Sequence, residues 1–274
     1  MRRDVSVIKS ALYVPANIEA RLVKALASAA DAVIVDLEDG VPLAEKGNGR
    51  AVAATVIERI DRPWTALRIN ADEQFLPDDL LLAGRLDIDA IVLPKATAES
   101  VASLGPDGVP IWALIETARG LREAYEIACF SRVELLLLGT VDLALDLSLS
   151  PLRDQEELLH ARSSLVIDSR AAEISAPLDG VCVEIRDPDL LLEESKRAEA
   201  LGFGGKTCIH PRQLDAIHAT FAASQAQIDH ARRVVAAYES AVATGSGAIS
   251  LDGQLVDKPV VEQARKILRA ASKE

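Results

Sequence analysis

The sequence predicts an α/β chain folded as a TIM-type (β/α)8 barrel with a C-terminal helical and hairpin extension. Three observations carry that expectation. Short apolar runs alternate with longer amphipathic stretches along most of the 274 residues. Most of the runs are continuously apolar, as strands are when both faces of the sheet are covered. About eight strand–helix units follow one another within about 250 residues, which is the arithmetic of a barrel. By spacing alone, a doubly wound parallel sheet competes with it.

Taken in order, residues 11–14, 32–37, 64–69 and 90–93 read as the first four strands. Residues 111–115, 133–138, 180–185 and 205–209 supply the other four. Amphipathic patterns over 19–29, 45–59 and 156–173 read as connecting helices. Gly202, Gly204 and Gly205 shape a tight turn from helix into the last strand. Gly205-Lys206-Thr207 resembles the end of a phosphate-binding loop, but Ala200 stands where that loop needs glycine. The segment also leads into a strand instead of opening a helix, so the reading fails. Beyond the barrel come a long helix over 225–242, Gly245-Ser246-Gly247, a hairpin around Asp252-Gly253 and a last helix over 260–271. The expected division is a barrel over 1–222 and an extension over 223–274 that packs on the barrel or on a neighbouring subunit.

Composition narrows the function. Asp and Glu number 42 against 30 Lys and Arg, a net charge of −12 that would repel a phosphate backbone. With only 4 Phe, 3 Tyr and 2 Trp, few rings could stack on bases, so nucleic-acid binding is excluded as a general activity. Cys129, Cys182 and Cys208 are odd in number and form no CxxC pair, which fits free thiols in a reducing compartment. The opening Met1-Arg2-Arg3-Asp4 leads into an apolar stretch broken by Lys9, with no small-residue cleavage site. No uncharged apolar run nears the ~18 residues of a membrane span. The expectation is a soluble cytoplasmic protein.

In a parallel barrel the chemistry sits at the C-terminal ends of the strands. Six of the eight ends here carry charged or polar groups directly after apolar runs. They are Asp36-Leu37-Glu38-Asp39, Arg68-Ile69-Asn70, Pro94-Lys95, Glu116-Thr117, Gly139-Thr140-Val141-Asp142 and His210-Pro211. Glu116 and Asp142 fall on adjacent strands without a nearby His or Cys. Such a pair suits Mg²⁺ completed by water and a substrate oxyanion; equally, each acid could cap the helix that follows. Arg68 is placed to hold a carboxylate or a developing enolate oxygen, and also to pair with the acids around Asp36. The four histidines, His160, His210, His218 and His230, lack metal-ligand spacing.

These segments resemble the citrate lyase beta-subunit-like branch of the HpcH/HpaI aldolase superfamily. The resemblance runs from Ser10-Ala11-Leu12-Tyr13-Val14-Pro15 and the stretch from Ala30 to Asp39, with Lys46 and Arg50, through Leu67-Arg68-Ile69-Asn70 and Val92-Leu93-Pro94-Lys95. It continues over Ala113-Leu114-Ile115-Glu116-Thr117-Ala118-Arg119-Gly120, Gly139-Thr140-Val141-Asp142-Leu143 and the stretch from Gly202 to Pro211, and ends in Leu251-Asp252-Gly253-Gln254-Leu255-Val256-Asp257. Together these span nearly the whole chain in the family's order. The resemblance implies a Mg²⁺-dependent barrel, trimeric or hexameric, that breaks or forms carbon–carbon bonds in malyl, citramalyl or citryl thioesters of coenzyme A or an acyl-carrier protein.

By the same resemblance Glu116 and Asp142 are the metal ligands and Arg68 stabilises the oxyanion. Glu38 supports Arg68 or lines the pocket, Asp36 assists it, and Glu116, Pro94 and Lys95 line the substrate's place. Asp257 matches an acid that in relatives reaches a neighbouring subunit's site; taken alone it is a turn residue after Gly253. Two departures concern the substrate more than the metal. Ala16 stands where relatives have glycine, and the segment from Leu143 to Pro151 lacks the family's glycine and is shorter. Two alternative functions stand beside the lyase: a thioester hydrolase on the same scaffold, and a non-catalytic subunit of a multi-subunit citrate lyase.

Overall fold

A computed structural model of the chain describes residues 4–59, 63–150, 152–243 and 247–271. Gly245, Ser246 and Pro151 lie outside the described residues, as do Met1, Arg2 and Arg3. The chain divides into two compact units, Met1–Phe221 and Ala222–Glu274.

The first unit is the barrel. β1 (Ser10–Pro15), α1 (Glu19–Leu26), β2 (Ala32–Asp36), α2 (Lys46–Ile57), β3 (Trp64–Arg68), α3 (Leu76–Ala83) and β4 (Ala90–Leu93) form its first half. α4 (Ala98–Ser103), β5 (Ile111–Ile115), α5 (Ala118–Arg122), α6 (Ala124–Ala128), β6 (Val133–Leu138) and α7 (Thr140–Asp146) follow. α8 (Leu159–Ala171), β7 (Leu178–Asp179), α9 (Pro188–Leu201), β8 (Gly205–Cys208) and α10 (Leu214–Phe221) complete it. The eight parallel strands close in sequence order, β8 pairing with β1. The doubly wound alternative is thereby eliminated.

Although the runs are apolar throughout, side chains still alternate between the two faces of a strand. Ala32, Ile34, Ala66, Val92, Trp112, Leu114 and Leu137 fill the barrel's interior. Val33, Val35, Leu67, Ile91 and Ala113 face the helices in a separate, larger core. Trp112, fully buried, fills much of the lumen and sits 6.4 Å from the Trp64 ring; its truncation to Ala would cost about 3–5 kcal/mol. The inward parity then fixes what the mouth presents. Two residues beyond Ile34 comes Asp36; two beyond Ala66 comes Arg68; two beyond Leu114 comes Glu116. Pro15, Asp36 and Arg68 stand level across β1, β2 and β3.

The seventh strand departs from the expectation. It occupies Leu178–Asp179, not residues 180–185. Asp179 is fully buried and bonds to Lys206 Nζ and Arg162 Nε, each at 2.9 Å, while Lys206 also meets Glu194 at 3.1 Å. These ion pairs anchor the strand where an apolar pattern finds only an interrupting acid. Gly180 then packs so tightly that a Cβ would lie 2.5 Å from Thr140 Oγ1. The chain lifts away beyond it, leaving Val183 and Ile185 exposed.

The second unit has its own small core. α11 (Gln225–Ala243) packs on α12 (Lys258–Ala271), and Ala231, Val234, Val256, Val261 and Ala264 are buried together. Between them β9 (Ile249–Leu251) and β10 (Gln254–Val256) form an antiparallel hairpin. Its turn residues Asp252 and Gly253 both have positive φ, 50° and 81°, as a tight two-residue hairpin turn demands.

Candidate active site

A cavity of about 490 Å³ opens at the C-terminal mouth of the barrel, lined among others by Tyr13, Asp36, Arg68, Glu116, Thr140, Asp142 and Thr207. On one wall Arg68 is clamped. Its Nε and Nη2 donate to the two Asp36 carboxylate oxygens, each at 2.7 Å, and Nη1 pairs with Glu38 Oε2 at 3.0 Å. Two parallel charge-assisted bonds fix the plane of the guanidinium as well as its place. Asp36 is itself pinned by the backbone N–H groups of Glu38, at 2.8 Å, and Gly40, at 2.9 Å. A Cβ at Gly40 would approach Asp36 Oδ2 to 2.4 Å, so the loop closes only on glycine. Behind it buried Lys46 donates to the carbonyls of Leu37 and Glu38, each at 2.7 Å. Asn70 bonds the Leu37 carbonyl at 3.0 Å and Asp79, which Arg50 holds at 2.9 Å.

Burial opposes the charge on Arg68, but its bonds to Asp36 and the nearby Asp36, Tyr13 and Glu38 carry its pKa above the ordinary arginine value. Glu38 is pushed above the usual carboxylate range by burial, against the pull of Arg68 and Lys95. The Arg68 guanidinium carbon lies 5.0 Å from the centroid of the Tyr13 ring, a cation–π contact.

Across the cavity stands Glu116, buried at the end of β5, with Asp142 half-buried in the first turn of α7. Burial first, and then the charge of Asp142, push the Glu116 carboxyl up to about 8, although the Lys95 N–H lowers it by donating to Oε1 at 2.8 Å. Glu116 caps no helix. Thr117 does so, its side chain accepting from the Gly120 N–H at 3.0 Å. A Cβ at Gly139 would lie 2.7 Å from Glu116 Oε2, and the glycine keeps that oxygen clear. Two carboxylates lining one cavity, with no His or Cys among its lining residues, make a donor set for a hard divalent cation. Among the described residues no group of three or more His, Cys, Asp and Glu is arranged to hold a metal. A cation bound here would complete its shell with water and substrate oxygens, which suits Mg²⁺.

The structure brings Asp36, Glu38, Arg68, Lys95, Glu116 and Asp142 to one rim. Pro94 is buried and does not line the cavity. The Lys95 ammonium is bonded to Glu38 Oε1 at 2.7 Å, not extended into the cavity. Asp257 belongs to the second unit, where its carbonyl and carboxylate accept from the first turn of α12. Residues missed from the sequence include Tyr13, Thr140, Thr207 and Arg21. Tyr13 was legible by parity, two residues beyond inward-facing Ala11. Arg21 also lines a second cavity of about 650 Å³, together with Lys24, His210 and Arg212, and Tyr13, Pro15 and Ile209 are common to both. A basic recess thus adjoins the acidic mouth.

A parallel barrel with an oxygen-only acid pair facing a clamped arginine defines a TIM-barrel enzyme of metal-assisted carboxylate chemistry. The sequence pattern of HpcH/HpaI aldolase/citrate lyase matches residues 9–211, and that of a C–C bond lyase of the TIM-barrel fold matches residues 158–272. The chain belongs to the HpcH/HpaI aldolase/citrate lyase family. It is 37% identical over 278 residues to a (3S)-malyl-CoA thioesterase of Cereibacter sphaeroides, covering 99% of this chain and 97% of the relative. It is 34% identical to the citrate lyase subunit beta of Escherichia coli, over 98% of this chain and 95% of that one. Among solved structures it is similar to the CitE protein of Mycobacterium tuberculosis in complex with magnesium, acetoacetate and coenzyme A. There the TM-score is 0.86 and the identity 34%, over 98% of this chain and 100% of the other. Among the described residues no helix is long and apolar enough to cross a membrane.

Proposed function

We propose that the protein is a Mg²⁺-dependent carbon–carbon lyase acting on a short dicarboxylic 3-hydroxyacyl-CoA such as malyl-, citramalyl- or citryl-CoA. The observation that carries the reading is one cavity with Glu116 and Asp142 on one side and clamped Arg68 on the other. Glu116 and Asp142 hold the metal. When bound, Mg²⁺ supplies Lewis acidity that acidifies a substrate hydroxyl and orients its neighbouring carboxylate. Arg68 retains N–H groups beyond those spent on Asp36 and Glu38, and these receive the thioester oxygen as it becomes an enolate. The hydroxyl gives its proton to a solvent water, and the bond between its carbon and the thioester's α-carbon breaks, its electron pair passing into the thioester enolate. The products are an oxo acid and an enolate whose carbon then takes up a proton. Asp257 of a neighbouring subunit, in a homotrimer or hexamer, is the proposed donor of that proton.

The adjoining recess supplies the charge that an acidic protein otherwise lacks for an anionic carrier. Arg21, Lys24 and Arg212 are its cations, and we assign them the phosphates of coenzyme A. Its cysteines are free thiols, in keeping with a reducing cytoplasm, where we place the protein. The test is a Mg²⁺ titration and a turnover assay with the wild type and Glu116→Gln. Loss of both metal binding and cleavage supports the reading, and a variant that cleaves without metal overturns it.

A second reading, hydrolysis of the thioester, is favoured by the identity to the (3S)-malyl-CoA thioesterase. Water would then add to the thioester carbonyl and the carbon–sulfur bond would break in place of the carbon–carbon bond, the thiolate leaving as free CoA and the hydroxy acid staying intact. Product identity separates the two.

A further inference from the structure

Lys95 has a backbone that lysine seldom adopts. Its φ is +49°, in the left-handed region where a non-glycine side chain is strained. The other non-glycine residues there, Ser148, Gln155, Glu173 and Asp252, lie in loops or turns away from the barrel's strand ends. Lys95 directly follows β4 and Pro94 at the cavity rim. Strain of this kind persists where surrounding contacts over-determine it, and at Lys95 those contacts can be named. The turned backbone directs its N–H to Glu116 Oε1 at 2.8 Å. From the opposite side Gly139 approaches Glu116 so closely that a Cβ would lie 2.5 Å from the Glu116 Cβ. The carboxylate is therefore held between two backbone segments, one bonded to Oε1 and the other leaving Oε2 clear. From the same residue the ammonium reaches Glu38 Oε1 at 2.7 Å, and the other Glu38 oxygen meets Arg68 at 3.0 Å.

We propose that Lys95 is a positioning residue that joins the two halves of the reaction centre. Its left-handed backbone aims the Glu116 carboxylate at the metal, and its ammonium, acting through Glu38, steadies Arg68. Lys95 then needs no contact with substrate. The inference rests on the reading of Glu116 as a Mg²⁺ ligand. It assigns separate tasks to backbone and side chain, and these respond differently to substitution. Glycine enters the left-handed region freely, asparagine tolerates it, and a β-branched residue resists it. Arginine keeps the charge.

The experiment measures Mg²⁺ affinity by calorimetry on metal-free protein, with steady-state kinetics on malyl-CoA, for Lys95→Gly, Lys95→Asn, Lys95→Val, Lys95→Arg and Glu116→Gln. Far-UV circular dichroism and unfolding midpoints without metal establish that each variant is folded. The expected Mg²⁺ dissociation constants of the Gly and Asn variants lie within about twofold of wild type, while that of Val rises at least about tenfold, the size of one lost charge-assisted bond. The Gly and Asn variants lose about tenfold in kcat with KM for the thioester unchanged, because the ammonium on Glu38 is gone. The Arg variant recovers most of that loss.

Equal Mg²⁺ affinity in the Gly and Val variants overturns the backbone role. A rise in KM with kcat intact in the Gly variant overturns the side-chain role and returns the ammonium to substrate binding. Should Lys95→Val not fold, Lys95→Ala against Lys95→Gly makes the same comparison. Wild-type Mg²⁺ affinity in Glu116→Gln refutes the metal-site reading itself, an outcome distinct from failure of the Lys95 series.

Discussion

Replacing Arg68 by lysine isolates what its geometry contributes beyond its charge. The guanidinium has five N–H donors in a rigid fork, whereas lysine has three on a single nitrogen. Three of the five are committed here: Nε and one N–H of Nη2 to Asp36, and one of Nη1 to Glu38. Two N–H groups remain for a substrate oxygen. Lysine, serving the same two acids, would keep at most one, with no fixed direction. Removal of an oriented oxyanion donor costs about 10²–10³ in kcat, or about 2.7–4 kcal/mol. Arg68→Lys is therefore expected to lose about 10²–10³ in kcat with a much smaller change in KM. The retained cation still compensates Asp36 and Glu38, so the fold should survive. The assay is Mg²⁺-dependent turnover of malyl-CoA at saturating substrate, with far-UV circular dichroism as the folding control. A folded variant within threefold of wild-type kcat would refute the role assigned to Arg68.

Gly139→Ala should weaken Mg²⁺ binding by at least about tenfold, since the added carbon falls 2.5 Å from Glu116 Cβ and 2.7 Å from Oε2; titration calorimetry measures it. Arg21→Gln combined with Arg212→Gln should raise KM for the CoA thioester about tenfold or more and leave kcat nearly unchanged, if the recess binds the carrier's phosphates. Lys206→Met leaves buried Asp179 and Glu194 short of a cation and should cost about 3–5 kcal/mol in urea unfolding. The same network predicts a pH dependence. Burial would raise the Asp179 pKa, but Lys206 and Arg162 hold it below the ordinary value of 3.8. Its ionised form thus stabilises the fold above about pH 4, and that contribution is lost as pH falls through the lowered pKa. The stability gap between wild type and Asp179→Asn should therefore narrow below about pH 4; a gap that stays constant to the acid limit of folding would contradict it.

Much of the barrel was legible because apolar runs ending in charged residues mark strands and their C-terminal ends at once. Asp36, Glu38, Arg68, Glu116 and Asp142 were found that way, and their shared rim follows from closing the sheet. What the pattern concealed was which face each residue takes, since strands buried on both sides show no alternation of polarity. Tyr13 lies within such a run, and its place at the cavity follows only once Ala11 is known to face inward. The seventh strand was misplaced because its defining residue, Asp179, gains its partners only when α8 and β8 close around it. Lys95 was read as a cation for the substrate, yet its bonds to Glu38 and Glu116 depend on a backbone angle that no composition or spacing encodes. Arg21 and Arg212 are far apart in sequence and meet only where β1 and β8 join.

Mass analysis of the products tests the central claim most directly. Purified protein is incubated with Mg²⁺ and, separately, malyl-, citramalyl- and citryl-CoA, with a chelator control. Carbon–carbon cleavage at the Glu116–Asp142 site predicts an oxo acid and a shortened acyl-CoA in equal amounts from at least one substrate, abolished by the chelator and by Glu116→Gln. Free CoA with an intact hydroxy acid, or products that persist without metal, would contradict it.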